Sequence, residues 1–172
     1  MTGHRIYARH SGLADDTRLS IPLIKKCIRA ALRFEGVDIP CEVSVLITDD
    51  EGIRDINREF RGIDKATDVL SFPALEFTAP GWGGRGECAP DPETGLLPLG
   101  DIVLSAGRVE EQAKEHAQSR ERETAYLTVH SVLHLLGYDH VDEAAQKRLM
   151  RAREKEIMKS VGKQLFKGYP ET

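Results

Sequence analysis

The chain has 172 residues, of which 40% are hydrophobic and 30% charged, and its formal net charge is −4. This length suits one domain, and a domain of this size buries about 70% of the surface that its unfolded chain exposes. The composition is that of a globular protein and excludes a disordered or fibrous chain. The acidic balance argues against a general, non-specific nucleic-acid binder, although it allows a local basic site.

The N-terminal segment 1–13 contains charges and histidines but no apolar stretch of the kind that a secretory signal requires. No apolar run approaches the roughly 20 residues that span a bilayer. Cys27, Cys41 and Cys88 are scattered without a C-x-x-C pair, which disfavours a disulfide framework or a cysteine zinc site. We therefore expect a soluble, cytoplasmic protein with reduced thiols and no membrane partner.

The first part of the chain alternates between strand and helix patterns. Ser20 and Pro22 predict the start of a helix, because serine is a favoured N-cap and proline fits a first turn. Asp49 or Asp50 is expected to cap a second, shorter helix, which Gly62 ends. The elements predicted before residue 74 are a strand at 6–8, a helix at 20–36, a strand at 42–48, a helix from 49 or 50 to 60 and a strand at 68–72.

The segment 75–98 has no periodic pattern and contains five glycines and four prolines in 24 residues. A loop of this length in a compact domain is either functional or mobile. A tolerated surface insertion is the simplest interpretation, and a functional loop is the alternative.

The last part of the chain predicts one strand, at 101–104, and three helices. Ser105 and Ser119 are expected to cap the first two of these helices, and Gly137 ends the second. The third is predicted to begin near Asp142. Its apolar positions are Leu149, Met150, Ile157 and Val161. A few strands among about five helices indicate an α/β or α+β domain with a small sheet.

Three of the six histidines form the pattern H-x-x-x-H-x-x-G-x-x-H at His130, His134 and His140. The first two lie one helical turn apart and project from the same face. A glycine hinge at Gly137 allows the third to turn back to the same point. Three imidazoles plus water are typical of a catalytic zinc, whereas a structural zinc normally has four protein ligands. His116 reaches this site only if tertiary packing brings it there.

Metzincin proteases have the same histidine spacing, and their general base is a glutamate directly after the first histidine. Here that position is Ser131, which cannot take a proton from water at neutral pH. A metallopeptidase therefore remains an alternative that would need a carboxylate from elsewhere in the chain.

Three segments together resemble the YbeY family of bacterial endoribonucleases and rRNA maturation factors. They are HSVLHLLGYDH at 130–140, NREFRGIDKATDVLSFP at 57–73 and LGDIVLS at 99–105. They occur in the family's order and cover most of the chain from 57 to 140. Ser131 replaces a usual glycine, and the 75–98 segment is longer than usual in the family.

The resemblance implies a single α+β domain over residues 1–172, with a small mixed sheet, about five packed helices and the metal site at the C-terminal end of a central helix. It implies a zinc-dependent endoribonuclease that cuts single-stranded RNA, matures the 3′ end of 16S rRNA and serves ribosome quality control. His130, His134 and His140 would bind one zinc per chain. Arg61 would be the important arginine of the cleft. The partners implied are ribosomal RNA and the ribosome or small-subunit assembly proteins, with no DNA expected.

Further residues are weaker candidates for the same site. Arg58 and Lys65 would extend a basic track for the RNA backbone. Asp139 or His116 would orient a ligand imidazole. Asp68 and Ser71 are candidates for the cleft wall, with ordinary strand-end roles as the alternative. A non-enzymatic ribosome-assembly factor with a structural zinc is the remaining alternative function.

Overall fold

The computed structural model describes residues 3–139 and 144–166, and in them a four-stranded sheet carries five α-helices. The strands are β1 (Arg5–His10), β2 (Cys41–Thr48), β3 (Val69–Pro73) and β4 (Leu97–Ser105). The helices are α1 (Ile21–Phe34), α2 (Asp50–Arg61), α3 (Ala106–Glu115), α4 (Arg120–Leu135) and α5 (Ala144–Leu165).

The sheet is mixed, with strand order β1-β2-β4-β3. β1, β2 and β4 are parallel, and β3 runs antiparallel to β4 at the edge. The predicted α+β class, with a small mixed sheet and about five helices, is thereby confirmed.

The helices begin where the side-chain chemistry predicts. In each case the capping oxygen accepts a hydrogen bond from the backbone N–H three residues later, which satisfies a donor that the helix itself leaves unpaired. The caps are Ser20 for α1, Asp49 for α2, Ser105 for α3 and Ser119 for α4. Asp49, and not Asp50, is therefore the cap of α2.

One face of the sheet packs against α1 and α4, and α2 lies on the opposite face. The main core includes Ile24 and Ile28 of α1 together with Leu133 of α4, all completely buried. A smaller cluster on the other side joins Ile53 of α2 to Leu70 and Val103 of the sheet. The α4 helix thus lies within the main core, which fixes the position of its histidines.

Two sequence predictions need correction. β4 begins at Leu97, inside the segment predicted to be a loop, because residues 97–98 pair with the start of β2. Gly100 makes this path possible, since its φ is +141° and a Cβ there would collide with the carbonyl oxygen of Phe72. Leu149, predicted as an apolar position of α5, is 45% exposed, whereas Met150, Ile157 and Val161 are buried as predicted. The predicted helix start near Asp142 lies outside the described residues.

The 75–98 segment is attached to the core and is not a peripheral insertion. Trp82 is only 6% exposed, and its indole N–H donates to Asp38 Oδ1 at 2.8 Å. The backbone N–H of Gly81 donates to the carbonyl oxygen of Leu136, at the end of α4, at 2.9 Å. This segment therefore packs directly beside the histidine helix.

The three cysteines are free, and two of them are buried. Burial raises the pKa of both the Cys27 and the Cys41 thiol to about 12, so both are protonated at neutral pH. Within residues 3–139 and 144–166, none of the helices combines the length and apolar character needed to cross a membrane.

We expect Trp82→Ala to lower the free energy of unfolding by about 3–5 kcal/mol, because it empties a large buried aromatic site. Glu87→Ala, an exposed change in the same segment, should stay within about 0.5 kcal/mol of the wild type. Urea denaturation of the two variants checks this. If both substitutions lowered the free energy of unfolding by the same small amount, the 75–98 segment would be a surface insertion after all.

Candidate active site

A cavity of about 700 Å³ lies between the end of α4, the end of α2 and strand β3. His130 and His134 enter it from α4, and Arg61 enters it from the last position of α2. Asp68 and Ser71 line it from β3 and the residue before that strand. The structure therefore brings together residues from three separate parts of the sequence.

The two helical histidines converge on one point. Their Nε2 atoms are 3.1 Å apart, and the rings meet edge to face with centroids separated by 4.6 Å. This follows from their spacing of four residues, which stacks their side chains on one helical face.

Glu154 of α5, which the sequence analysis missed, holds the first histidine in place. Its Oε1 is 2.5 Å from Nδ1 of His130, and its Oε2 accepts a hydrogen bond from the Tyr126 hydroxyl at 2.9 Å. Glu154 is only 5% exposed. With Glu154 as the acceptor of this contact, the hydrogen lies on Nδ1 of His130, and Nε2 is the ring nitrogen directed to His134.

Tyr126 completes this arrangement on the helix side. Burial, followed by the negative charge of Glu154, raises the pKa of its hydroxyl well above the usual value. The hydroxyl therefore remains a hydrogen-bond donor at neutral pH. Both oxygens of Glu154 thus have a partner, which offsets the cost of burying a carboxylate.

The pair of imidazoles fits a metal of the zinc type. On a tetrahedral zinc with bonds of about 2.0–2.1 Å, two nitrogens lie about 3.3–3.4 Å apart, close to the observed 3.1 Å. The Glu154–His130 contact is the carboxylate–histidine arrangement that commonly supports such ligands. In the part of the chain that the structure describes, no group of three or more His, Cys, Asp or Glu side chains could hold a metal ion. His140, the predicted third ligand, lies outside the described residues.

Arg61 is held at the mouth of the cavity by the backbone of β3. Its Nη2 donates to the carbonyl oxygen of Ser71 at 3.2 Å, and its guanidinium carbon lies 5.7 Å from the centre of the Phe72 ring. The helix ends directly after it, because Gly62 adopts the left-handed conformation with φ of +69°. The guanidinium retains donors that can face an anion in the cavity.

Asp68 lies in the wall, but its oxygens are already used. Oδ1 accepts from the backbone N–H of Val69 at 2.7 Å, and Oδ2 accepts from Gln112 at 3.0 Å. Asp139 also lines the cavity, at the end of the turn that follows α4. Glu154, which was not a candidate, is the carboxylate seen to contact His130, whereas His116 contacts Glu123.

Three candidates lie elsewhere. Arg58 forms ion pairs with Asp55 and Asp64 on the exposed side of α2. Lys65 lines a different, shallow depression beside Asp64. His116 contacts the buried Glu123 at 3.1 Å and borders a second cavity beyond Tyr126.

Ser131 is completely buried, and its hydroxyl finds no hydrogen-bond partner within the described residues. It faces the core and not the cavity. The position that supplies the base in metzincin proteases is therefore chemically and spatially unavailable here.

The turn after α4 is fixed from two sides. Gly137 has a φ of +85°, and a Cβ at this position would lie 2.5 Å from the Phe77 side chain. The Tyr138 hydroxyl donates to Glu35 at 2.8 Å, and Arg153 of α5 forms an ion pair with the same carboxylate at 3.3 Å. The 75–98 segment, α1 and α5 thus hold the chain where it leaves the histidine helix.

The fold and the cavity define an α+β protein with a candidate active site centred on two histidines. A family model described as Endoribonuclease YbeY matches residues 11–162. The chain therefore belongs to the YbeY endoribonuclease family, which confirms the resemblance noted in the three sequence segments.

Curated relatives with this name include proteins from two clostridia. The Clostridium botulinum (strain Loch Maree) protein is 49% identical over 148 residues, which cover 80% of this chain and 85% of the relative. The Clostridium acetobutylicum protein is 53% identical over 147 residues, with coverage of 78% and 84%. The solution structure of a Thermotoga maritima protein superposes with a TM-score of 0.60 at 26% identity, covering 92% of this chain and 90% of that one.

We expect Gly137→Ala to destabilise the protein by about 2–5 kcal/mol, from the left-handed backbone and the collision with Phe77 together. Gly95→Ala is the matched control, since Gly95 has a φ of +69° but open space around it, and it should cost about 1–2 kcal/mol. Denaturant unfolding measures both. Adding Phe77→Ala to Gly137→Ala should recover part of the lost stability. If the two changes in the free energy of unfolding were strictly additive, the proposed collision between the new Cβ and Phe77 would be contradicted.

Proposed function

We propose that the protein is a zinc-dependent endoribonuclease that cuts single-stranded RNA in the cytoplasm. Its proposed roles are rRNA maturation, including the 3′ end of 16S rRNA, and ribosome quality control. Membership of the YbeY endoribonuclease family supports the reaction class. The single observation that carries the proposal is the convergence of the His130 and His134 Nε2 atoms in the cavity that Arg61 also enters.

His130, His134 and His140 would hold the zinc, one per chain. When bound, zinc lowers the pKa of a coordinated water towards 7 and polarises a phosphate oxygen. Glu154 holds the Nδ1 side of His130, so that Nε2 is the atom that would coordinate the metal. The Glu154 contact thus favours the His130 tautomer that can bind a metal through Nε2.

Arg61 would bind the phosphodiester and stabilise the extra negative charge of its transition state. The planar guanidinium suits this task because it is permanently charged and can donate two parallel hydrogen bonds to phosphate oxygens. The Ser71 carbonyl and the Phe72 ring restrict its orientation in advance.

Metal analysis of the purified protein should give about one zinc per chain, and His134→Ala should lose both zinc and RNA cleavage because one of the two converging nitrogens is gone. Chelation should abolish cleavage while circular dichroism still reports a folded chain. Unfolding on chelation, with no cleavage of any RNA, would favour the assembly factor with a structural zinc. Cleavage at the normal rate without metal would contradict the zinc mechanism.

Arg61→Ala should retain zinc and lower kcat for RNA cleavage by about 10²–10³-fold, as expected when a donor to the transition state is removed. Arg58→Ala is the matched control, because Arg58 lies on the same helix and its ion pairs lie outside the cavity. It should change kcat less than threefold. An equal loss of kcat in the two variants would show that Arg61 has no specific role in the reaction.

Glu154→Gln should weaken zinc binding by about 10–100-fold, since the ligand imidazole loses its carboxylate acceptor. Competition with a chromophoric chelator measures this affinity without any RNA. Glu156→Gln, an exposed change on the same helix, should leave the zinc affinity as it is. An unchanged affinity in Glu154→Gln would show that the contact is structural only.

A further inference from the structure

A second cavity, of about 490 Å³, lies on the far side of the Tyr126–Glu154 contact from the histidines. It forms a groove between the N-terminal half of α4 and the middle of α5. Basic side chains from both helices line it, namely Arg122, Arg151 and Lys155.

The α5 helix is strongly basic in an acidic protein. It contains seven Lys or Arg residues and two Glu residues, which give a net charge of +5 against −4 for the whole chain. Five of these cations recur at every fourth position and are all exposed: Lys147, Arg151, Lys155, Lys159 and Lys163. A spacing of four residues places neighbouring members one turn apart with an offset of about 40°, so that they form a stripe that winds slowly around the helix.

Two carboxylates near the groove, Glu154 and Glu123, are buried, and each accepts hydrogen bonds within the protein. Glu154 binds Tyr126 and His130, and the fully buried Glu123 accepts hydrogen bonds from His116 and Gln118. Within the described residues, Arg151 and Lys155 form no ion pair with a carboxylate. Arg151 and Lys155 are both exposed and therefore present their positive charge to solvent.

The groove adjoins the candidate active site across the Tyr126–Glu154 contact. Tyr126 and Glu154 line the groove, and each contacts His130, which lines the other cavity. From His130 to Arg122 the axis of α4 advances about 12 Å at 1.5 Å per residue, which corresponds to about three to four stacked nucleotides at 3.4 Å each.

We propose that the groove and the α5 stripe bind the sugar-phosphate backbone of single-stranded RNA next to the bond that is cut. The inference rests on the proposed function for the identity of the polyanion. Arg151 and Lys155 make phosphate contacts, and Arg122 supports them from α4. This path does not include Arg58 or Lys65, which lie by Asp64.

The test is the binding of a fluorescein-labelled, single-stranded RNA 20-mer, measured by anisotropy with the full-length chain in a His134→Ala background that prevents cleavage. Adding Arg151→Ala and Lys155→Ala should weaken binding about 25-fold at 0.1 M salt, at about fivefold for each phosphate contact, and should lower the salt slope by about 1.4. Adding Arg5→Ala and Arg9→Ala instead removes the same charge from exposed positions of β1 and should change the affinity less than threefold. Thermal melting checks that all the variants fold.

If the two double substitutions weakened RNA binding equally, the proposal would be overturned, because the loss of affinity would depend only on the net charge of the protein. Unchanged RNA binding in the Arg151→Ala, Lys155→Ala variant would also overturn the proposal. It would favour an acidic protein as the partner of the stripe. If wild-type protein cuts no RNA but the groove variant still loses affinity, the proposed nuclease function fails while the binding site stands. In a wild-type background, the groove substitutions should raise KM for the 20-mer and leave kcat within threefold.

Discussion

The constraint on which the rest of the structure depends is that α4 belongs to the hydrophobic core and to the candidate active site at the same time. Ten of its sixteen residues are buried, yet His130 and His134 open into a polar cavity. A histidine at such a border needs a fixed hydrogen-bond partner, since an unpaired polar group in a core is costly. Glu154 supplies that partner from α5, so one contact packs two helices and orients the imidazole.

The chain around this helix is arranged to hold its C-terminal end still. Gly137 has no Cβ, and the Phe77 side chain packs in the space where one would lie. The Tyr138 hydroxyl donates a hydrogen bond to Glu35, which also forms an ion pair with Arg153. Four regions of the sequence therefore meet at the turn before His140. A position held from several sides is what a site needs when ligand geometry must be set to within a fraction of an ångström.

Charge in this protein is organised locally. The overall value of −4 disfavours non-specific RNA binding, but α5 alone carries +5 and Arg61 lines the histidine cavity. Net charge governs non-specific attraction over distances of about a Debye length, whereas substrate binding depends on the few cations beside the cavity. An acidic protein with such a groove is expected to bind RNA selectively and not along its whole surface.

The sequence by itself determined the features that depend on local chemistry. These are a small sheet with about five helices, the helix caps at Ser20, Ser105 and Ser119, and the histidine pair one turn apart. Only the tertiary structure decided that Glu154 contacts His130, that Trp82 belongs to the core and that Arg58 and Lys65 lie outside the cavity. Each of these depends on contacts between segments distant in the chain, and local patterns of hydrophobicity, capping and spacing carry no information about which segments meet.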